Sequence, residues 1–182
     1  VPAGIATTAL YYAVNKVIRH SRGYLWSSFW HSFKTNMKQG AFVTLVVAAA
    51  VVLVGLDGYI MYQFAKAGEK SGVLYVVFFV LMLVVIAWAI YVFPYMARFE
   101  NSTKLILKNS ALMAIGNLPK TFMALMFFLA CCIGTYLLPV VAIISPALGM
   151  LLLNYILEGV FERYMSDEDR EAENERNQEF YN

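Results

Sequence analysis

The chain has 182 residues, 60% of them hydrophobic and 14% charged, with a mean hydropathy of +0.62. Such a composition lies far outside the soluble globular range, so water is not its main solvent. A net charge of +2, with Lys and Arg scattered between apolar blocks, excludes nucleic acid as a partner.

The chain opens at Val1-Pro2 without the basic, apolar and small-residue order of a signal peptide. From Tyr24 to Gly40 the sequence predicts an amphipathic helix. Trp26, Phe29, Trp30, Phe33 and Met37 recur at three- and four-residue steps, and Ser27, Ser28, His31, Lys34, Thr35 and Lys38 fill the other side. An aromatic stripe backed by cations suits the headgroup boundary of a bilayer, and a helix packed on a bundle without lipid contact fits the same pattern.

Four apolar blocks follow, each long enough to cross a hydrocarbon core that takes about 20 helical residues. They are Ala41 to Phe64, Val73 to Met96, Thr121 to Leu138 and Val140 to Phe161, the last two separated by Pro139. No charged residue stands between Lys120 and Glu158, which a helical hairpin in a soluble protein would not need. The adjacent Cys131 and Cys132 fall inside this apolar stretch and read as small hydrophobes. The expected fold is therefore all-α, a polytopic transmembrane helical bundle with cytoplasmic amphipathic helices.

Between the second and third blocks, residues 97–120 form a connector whose stretch Asn101 to Asn117 has Leu105, Ile106, Leu112 and Met113 at helical spacing. It closes with Leu118-Pro119, where proline opens the next helix. Residues 162–182 form a charged tail, with seven acids from Asp167 to Glu179 set against Arg170 and Arg176. Ser166 with Asp169 three residues on has the pattern of a capping box. Alternating crossings place twelve of the fourteen Lys and Arg residues on one face, with Lys66 and Lys70 alone on the other. By the excess of cations in inner loops, that face is cytoplasmic and the C-terminus lies on it. The order of amphipathic segment, span, span then occurs twice in the same sense, as in a parallel repeat.

Ionisable groups in a span are costly and so are the first candidates for function. Asp57 lies toward the outer end of the first span, between Gly55 and Gly58. Glu158 lies near the inner end of the last, with Asn154 one turn earlier on the same face. At 1.5 Å per residue these two acids stand roughly 20 Å apart in depth and cannot pair. Glu158 is expected to meet Arg163, Lys104 or Lys108 at the helix ends, and Asp57 to meet water, Tyr, Gln or Lys66. The two histidines, His20 and His31, have no ligand-spaced neighbours, and no nucleotide-binding loop is present. Neither a cofactor, a metal nor an enzyme activity is expected.

Three stretches go beyond composition. They are Gly4-Ile5-Ala6-Thr7-Thr8-Ala9-Leu10-Tyr11-Tyr12 with Lys16; Phe29 through Phe33 to Asn36, Lys38 and Gln39; and Tyr91-Val92-Phe93-Pro94 with Ala97-Arg98-Phe99-Glu100-Asn101, Lys108-Asn109 and Asn117-Leu118-Pro119. Together they resemble the YesL-like family of bacterial membrane proteins of unknown function. The resemblance implies a further span before Val1, with residues 1–14 as its continuation or its exit at the cytoplasmic face. Ala3, Gly4, Ala6 and Ala9 would then permit close helix packing. Genes of that family commonly stand beside carbohydrate importers of the ATP-binding-cassette type, which implies a role in saccharide uptake.

The sequence thus leads to a non-catalytic accessory subunit in the bacterial cytoplasmic membrane, associated with the subunits of a saccharide importer. Trp26, Phe29, Trp30, Phe33, Arg98, Glu100 and Asn101 are the candidate contacts with that partner or with the lipid interface. Homo-oligomerisation stays open. The alternative is a stand-alone permease or channel for a small solute, for which Gly116 with Leu118-Pro119 is only a faint echo of a permease coupling loop.

Overall fold

The computed structural model describes residues 2–19, 23–99, 101–165, 167, 170 and 171, with backbone alone at 19 and 141–144. Among these, seven α-helices follow one another and no strand occurs: α1 (Pro2–Val14), α2 (Leu25–Thr35), α3 (Met37–Lys66), α4 (Tyr75–Arg98), α5 (Thr103–Gly116), α6 (Leu118–Leu137) and α7 (Val141–Tyr164). A π-helical turn, Asn15–Arg19, prolongs α1, and a 3₁₀ turn, Lys70–Leu74, leads into α4. The protein is an all-α bundle.

Three stretches are long and apolar enough to cross a membrane: Met37–Lys66, Lys70–Arg98 and Leu118–Leu137. They coincide with the first three apolar blocks. The fourth block forms α7, 24 residues long, returning beside α6 after a break at Leu138 to Val140. The α3–α4 hairpin turns at Gly68, whose φ of 79° suits glycine. There the Gly68 N–H donates to the Ala65 carbonyl and the Glu69 N–H to that of Phe64, a Schellman closure of α3.

The predicted helix from Tyr24 to Gly40 is in fact two. Asn36 leaves helical geometry at φ −92° and ψ 8°, so α2 ends at Thr35 and Met37 already belongs to α3. The Asn36 amide Nδ2 donates to the Ser32 carbonyl at 3.1 Å, beside the Asn36 N–H on the same oxygen, and so holds its side chain against the end of α2. At the start of α6 the same device recurs: Asn117 Nδ2 donates to the Met113 carbonyl at 3.1 Å. The helix expected in the connector between Asn101 and Asn117 is present as α5. It folds back along α4, where the Trp88 indole N–H reaches the Leu107 carbonyl and the Ser110 hydroxyl. Trp88 stands roughly 15 Å along α4 from Arg98.

Buried residues gather at one end. They include Val43 and Val47 of α3, Ala87, Ile90, Tyr91, Val92, Tyr95 and Met96 of α4, Ile106, Met113 and Ala114 of α5, Ala124 of α6 and Leu153, Leu157, Val160 and Phe161 of α7, with Tyr11 of α1 among them. Among the described residues, no part of these four long helices beyond Val47, Ala87, Ala124 and Leu153 is buried. That packed end carries Lys38, Arg98, Lys120 and Arg163 and is here termed the basic end.

Glycine brings α1 into the packed end. A Cβ on Gly4 would overlap the Thr44 hydroxyl and the Phe93 ring, so α1 lies directly against α3 and α4. The Thr8 and Thr44 hydroxyls satisfy themselves on the carbonyls of Gly4 and Gly40, one turn back. Overpacking typically costs about 1–3 kcal/mol. Replacing Gly4 with Leu is therefore expected to lower the thermal unfolding temperature in detergent, whereas Ala3→Leu, at an exposed neighbour, leaves it unchanged.

Candidate functional site

Glu158 is the deepest charged group described. It sits on the buried face of α7 at 1% exposure, below Leu153, Asn154 and Leu157. Its partner is not the expected Arg163, Lys104 or Lys108. Arg98, at the last turn of α4, brings its Nε to 2.6 Å from Glu158 Oε1. The other oxygen accepts from Tyr11 Oη at 3.0 Å and from Asn15 Nδ2 at 2.8 Å. Three donors from α4, α1 and the π turn thus converge on one carboxylate. A helix C-terminus favours the cation that Arg98 supplies there.

Rings shelter this ion pair. Phe161, one turn beyond Glu158 on α7, meets the rings of Tyr11, Tyr91, Tyr95 and Phe99 edge-on, at centroid distances of 5.8 to 6.5 Å. Each tyrosine also places its hydroxyl on a polar partner. Tyr95 Oη accepts from the amides of Asn101 at 3.1 Å and Asn109 at 3.0 Å. The Tyr91 and Thr121 hydroxyls are 3.0 Å apart, and Thr121 Oγ1 donates to the Ala114 carbonyl at 2.7 Å. Gln39 Nε2 closes the cluster from α3, donating to the Asn101 carbonyl at 2.8 Å.

Not every candidate joins the cluster. Arg98, Asn101 and Glu158 do, while Glu100 lies outside the described residues. Asn154 is buried at 4% exposure with its Nδ2 unpaired, so it adds an amide to the core without a bond. Asp57 is exposed on α3, far from Glu158, and Lys66 stands over the Tyr62 ring at 4.8 Å rather than beside Asp57. His20, Ser166 and Asp169 lie outside the described residues. In the tail, Arg170 donates to the Glu162 carbonyl at 3.0 Å. Tyr11 stands in the first of the family-like stretches, whereas Asn15 and Tyr95 carried no sequence signal for membership, because tyrosine and asparagine near a helix end are ordinary.

The aromatic residues of α2 form a separate cluster. Ser28 and Ser32 are the buried positions of α2, turned into the bundle where α2 packs on α1. Trp26 and Trp30 therefore face outward, 72% and 40% exposed, with Phe29 and Phe33 half-buried. The four rings contact one another in sequence at 5.5 to 6.4 Å. Trp26, Trp30, His31 and Lys34 line a shallow open depression on this face. The large residues, which periodicity marks as a helix face, are thus the uncovered ones, and the small serines make the contact.

Comparison with known proteins bears out the resemblance over part of the chain. Residues 1–58 match the model of a family described as protein of unknown function, DUF624, the family to which YesL-like proteins belong. The matched stretch covers α1, α2 and α3 as far as Gly58, and so includes Tyr11, Asn15 and the aromatic face. No curated protein and no solved structure matches the chain.

Removing one member of a buried ion pair leaves an uncompensated charge, at a cost of about 3–5 kcal/mol. Arg98→Leu is expected to lower unfolding stability by that amount in a detergent-based denaturation series. Pairing it with Glu158→Leu restores most of the loss. At the neighbouring position Asn154→Leu raises stability, because it removes a buried donor without a partner.

Proposed function

We propose that this chain is a non-catalytic accessory subunit in a bacterial cytoplasmic membrane, and that it docks a partner at its basic end. The observation that carries the reading is the outward aromatic face of α2. A helix that turns serines inward and tryptophans outward has kept its adhesive side for something else. Exposed apolar patches rimmed by polar groups favour protein or membrane contacts, and tryptophan is enriched in the anchors of interfaces.

The polar interior supports the same role. Both oxygens of Glu158 are taken up by donors from three segments, which suits a carboxylate that fixes helix positions. The excess of Lys and Arg at the basic end favours the cytoplasm for that end and for the tail. The partner is the least direct step: resemblance to the YesL-like family favours the subunits of a saccharide importer of the ATP-binding-cassette type.

Purification of the native chain in mild detergent tests the reading. The importer's membrane and ATPase subunits are expected to co-purify, and a Trp26→Ala/Trp30→Ala variant to retain them several-fold less at unchanged thermal stability. A chain that always purifies alone would sink the proposal. Saccharide flux into liposomes containing this protein by itself would replace it with the permease reading.

A further inference from the structure

A second surface, on the opposite side of the chain's order, has the form of a lipid site. Between α6 and α7 runs a groove of about 380 Å³ lined by Phe122, Met123, Met126, Phe127, Leu152 and Ile156. Phe122, Met123, Met126 and Leu152 are exposed, so nothing among the described residues fills it. Its walls are hydrocarbon, sulfur and ring carbon, and methionine adapts readily to an irregular apolar occupant.

The groove leads into cations at the basic end. On α7, Leu152, Ile156, Gly159 and Arg163 follow at four, three and four residues, one stripe along the helix. On α6, Lys120 stands one turn before Met123. The two stripes converge at Gly159: the Lys120 Nζ lies 2.8 Å from where a Cβ on Gly159 would be, so the ammonium rests on the bare backbone of α7. Arg163, exposed, lies one turn further on. Glu162 is adjacent in sequence but about 100° around the helix from Arg163.

The cations at one end of an otherwise hydrocarbon groove favour an acyl chain with an acidic headgroup as occupant. We propose that the α6–α7 groove binds one acyl chain of an anionic phospholipid, with Lys120 and Arg163 holding its phosphate at the basic end. Paired cations between membrane helices recognise acidic headgroups in this way, and Arg adds a forked set of donors to phosphate oxygens. Binding in detergent does not depend on which face of the membrane the basic end occupies, because both ends are then open to added lipid.

The full chain, in mild detergent, is offered equal amounts of phosphatidylglycerol and phosphatidylcholine with identical acyl chains, and retained lipid is read by native mass spectrometry. Wild type is expected to keep one phosphatidylglycerol per chain, at least several-fold over phosphatidylcholine. Lys120→Gln/Arg163→Gln loses that preference while still taking either lipid weakly. Met126→Trp, which fills the groove, loses both lipids. Lys70→Gln, a cation at the opposite end, keeps the wild-type preference, and all variants are compared at equal thermal stability. Equal retention of the two lipids by wild type, or an unchanged preference in the double variant, overturns the proposal. So does a lipid-free dimer that Met126→Trp dissociates, since it places a second copy in the groove.

Discussion

One carboxylate organises the packed end of this bundle. An ionised group taken out of water is costly by several kcal/mol, and Glu158 is almost wholly enclosed. The arrangement is tolerable only because Arg98, Tyr11 and Asn15 all reach it. Each donor arrives from a different part of the chain, so satisfying the charge also fixes the axial position of α1 and α4 against α7. A shift of one turn in any of the three would strand the carboxylate, and this penalty acts as a register lock that hydrocarbon contacts alone do not supply. The rings around Phe161 then pack in the space that the lock defines.

That dependence explains why burial is so unequal along the helices. In lipid, apolar side chains gain little by leaving the acyl chains for one another, and association rests on close packing and interhelical hydrogen bonds. The polar side chains Gln39, Asn101, Asn109, Asn117 and Thr121 are concentrated at the basic end, and so are the buried apolar residues. Toward the other end, Asp57, Gln63 and Lys66 of α3 apart, the helices carry mainly Val, Leu, Phe and Ala, for which a neighbouring helix is no better than lipid. The tight contact of α1 at Gly4 belongs to the same end.

Hydropathy made the spans legible, because a run of about twenty apolar residues matches the thickness of a bilayer and has little use in a water-soluble fold. It did not make the pairings legible. Arg98 and Glu158 are 60 residues apart, and Tyr11 and Glu158 are 147 apart, so only topology brings them together. Arg98 reads in sequence as one of several loop cations, and its distinction comes from standing on the last turn of α4. The helix break at Asn36 was hidden for another reason: the aromatic and polar periodicity runs through it unbroken. Likewise, periodicity identified the stripe from Trp26 to Phe33 but not which side of α2 would be covered. Serine made that choice, since its small side chain lets α2 approach α1 closely. The motif residues Tyr91, Arg98, Asn101, Asn109 and Asn117 do prove coherent, as all five belong to the hydrogen-bonded end.

The two asparagine junctions share one local geometry. At Asn36 and again at Asn117 the backbone N–H and the side-chain amide both return to the carbonyl four residues back, and the next helix starts at once. The flanking helices correspond as well, since α2 packs on α1 and α5 packs on α4. What the two junctions have in common is a short helix laid along a preceding one, an asparagine whose side-chain amide joins its own N–H on the carbonyl four residues back, and a long helix that starts directly after it. Such a junction constrains one residue strictly and the rest only by size and polarity. Between the two junctions α4 packs on α1 and α3 on one hand and on α5, α6 and α7 on the other, so the residues that join these helices, Tyr91, Tyr95 and Arg98, stand on that single helix.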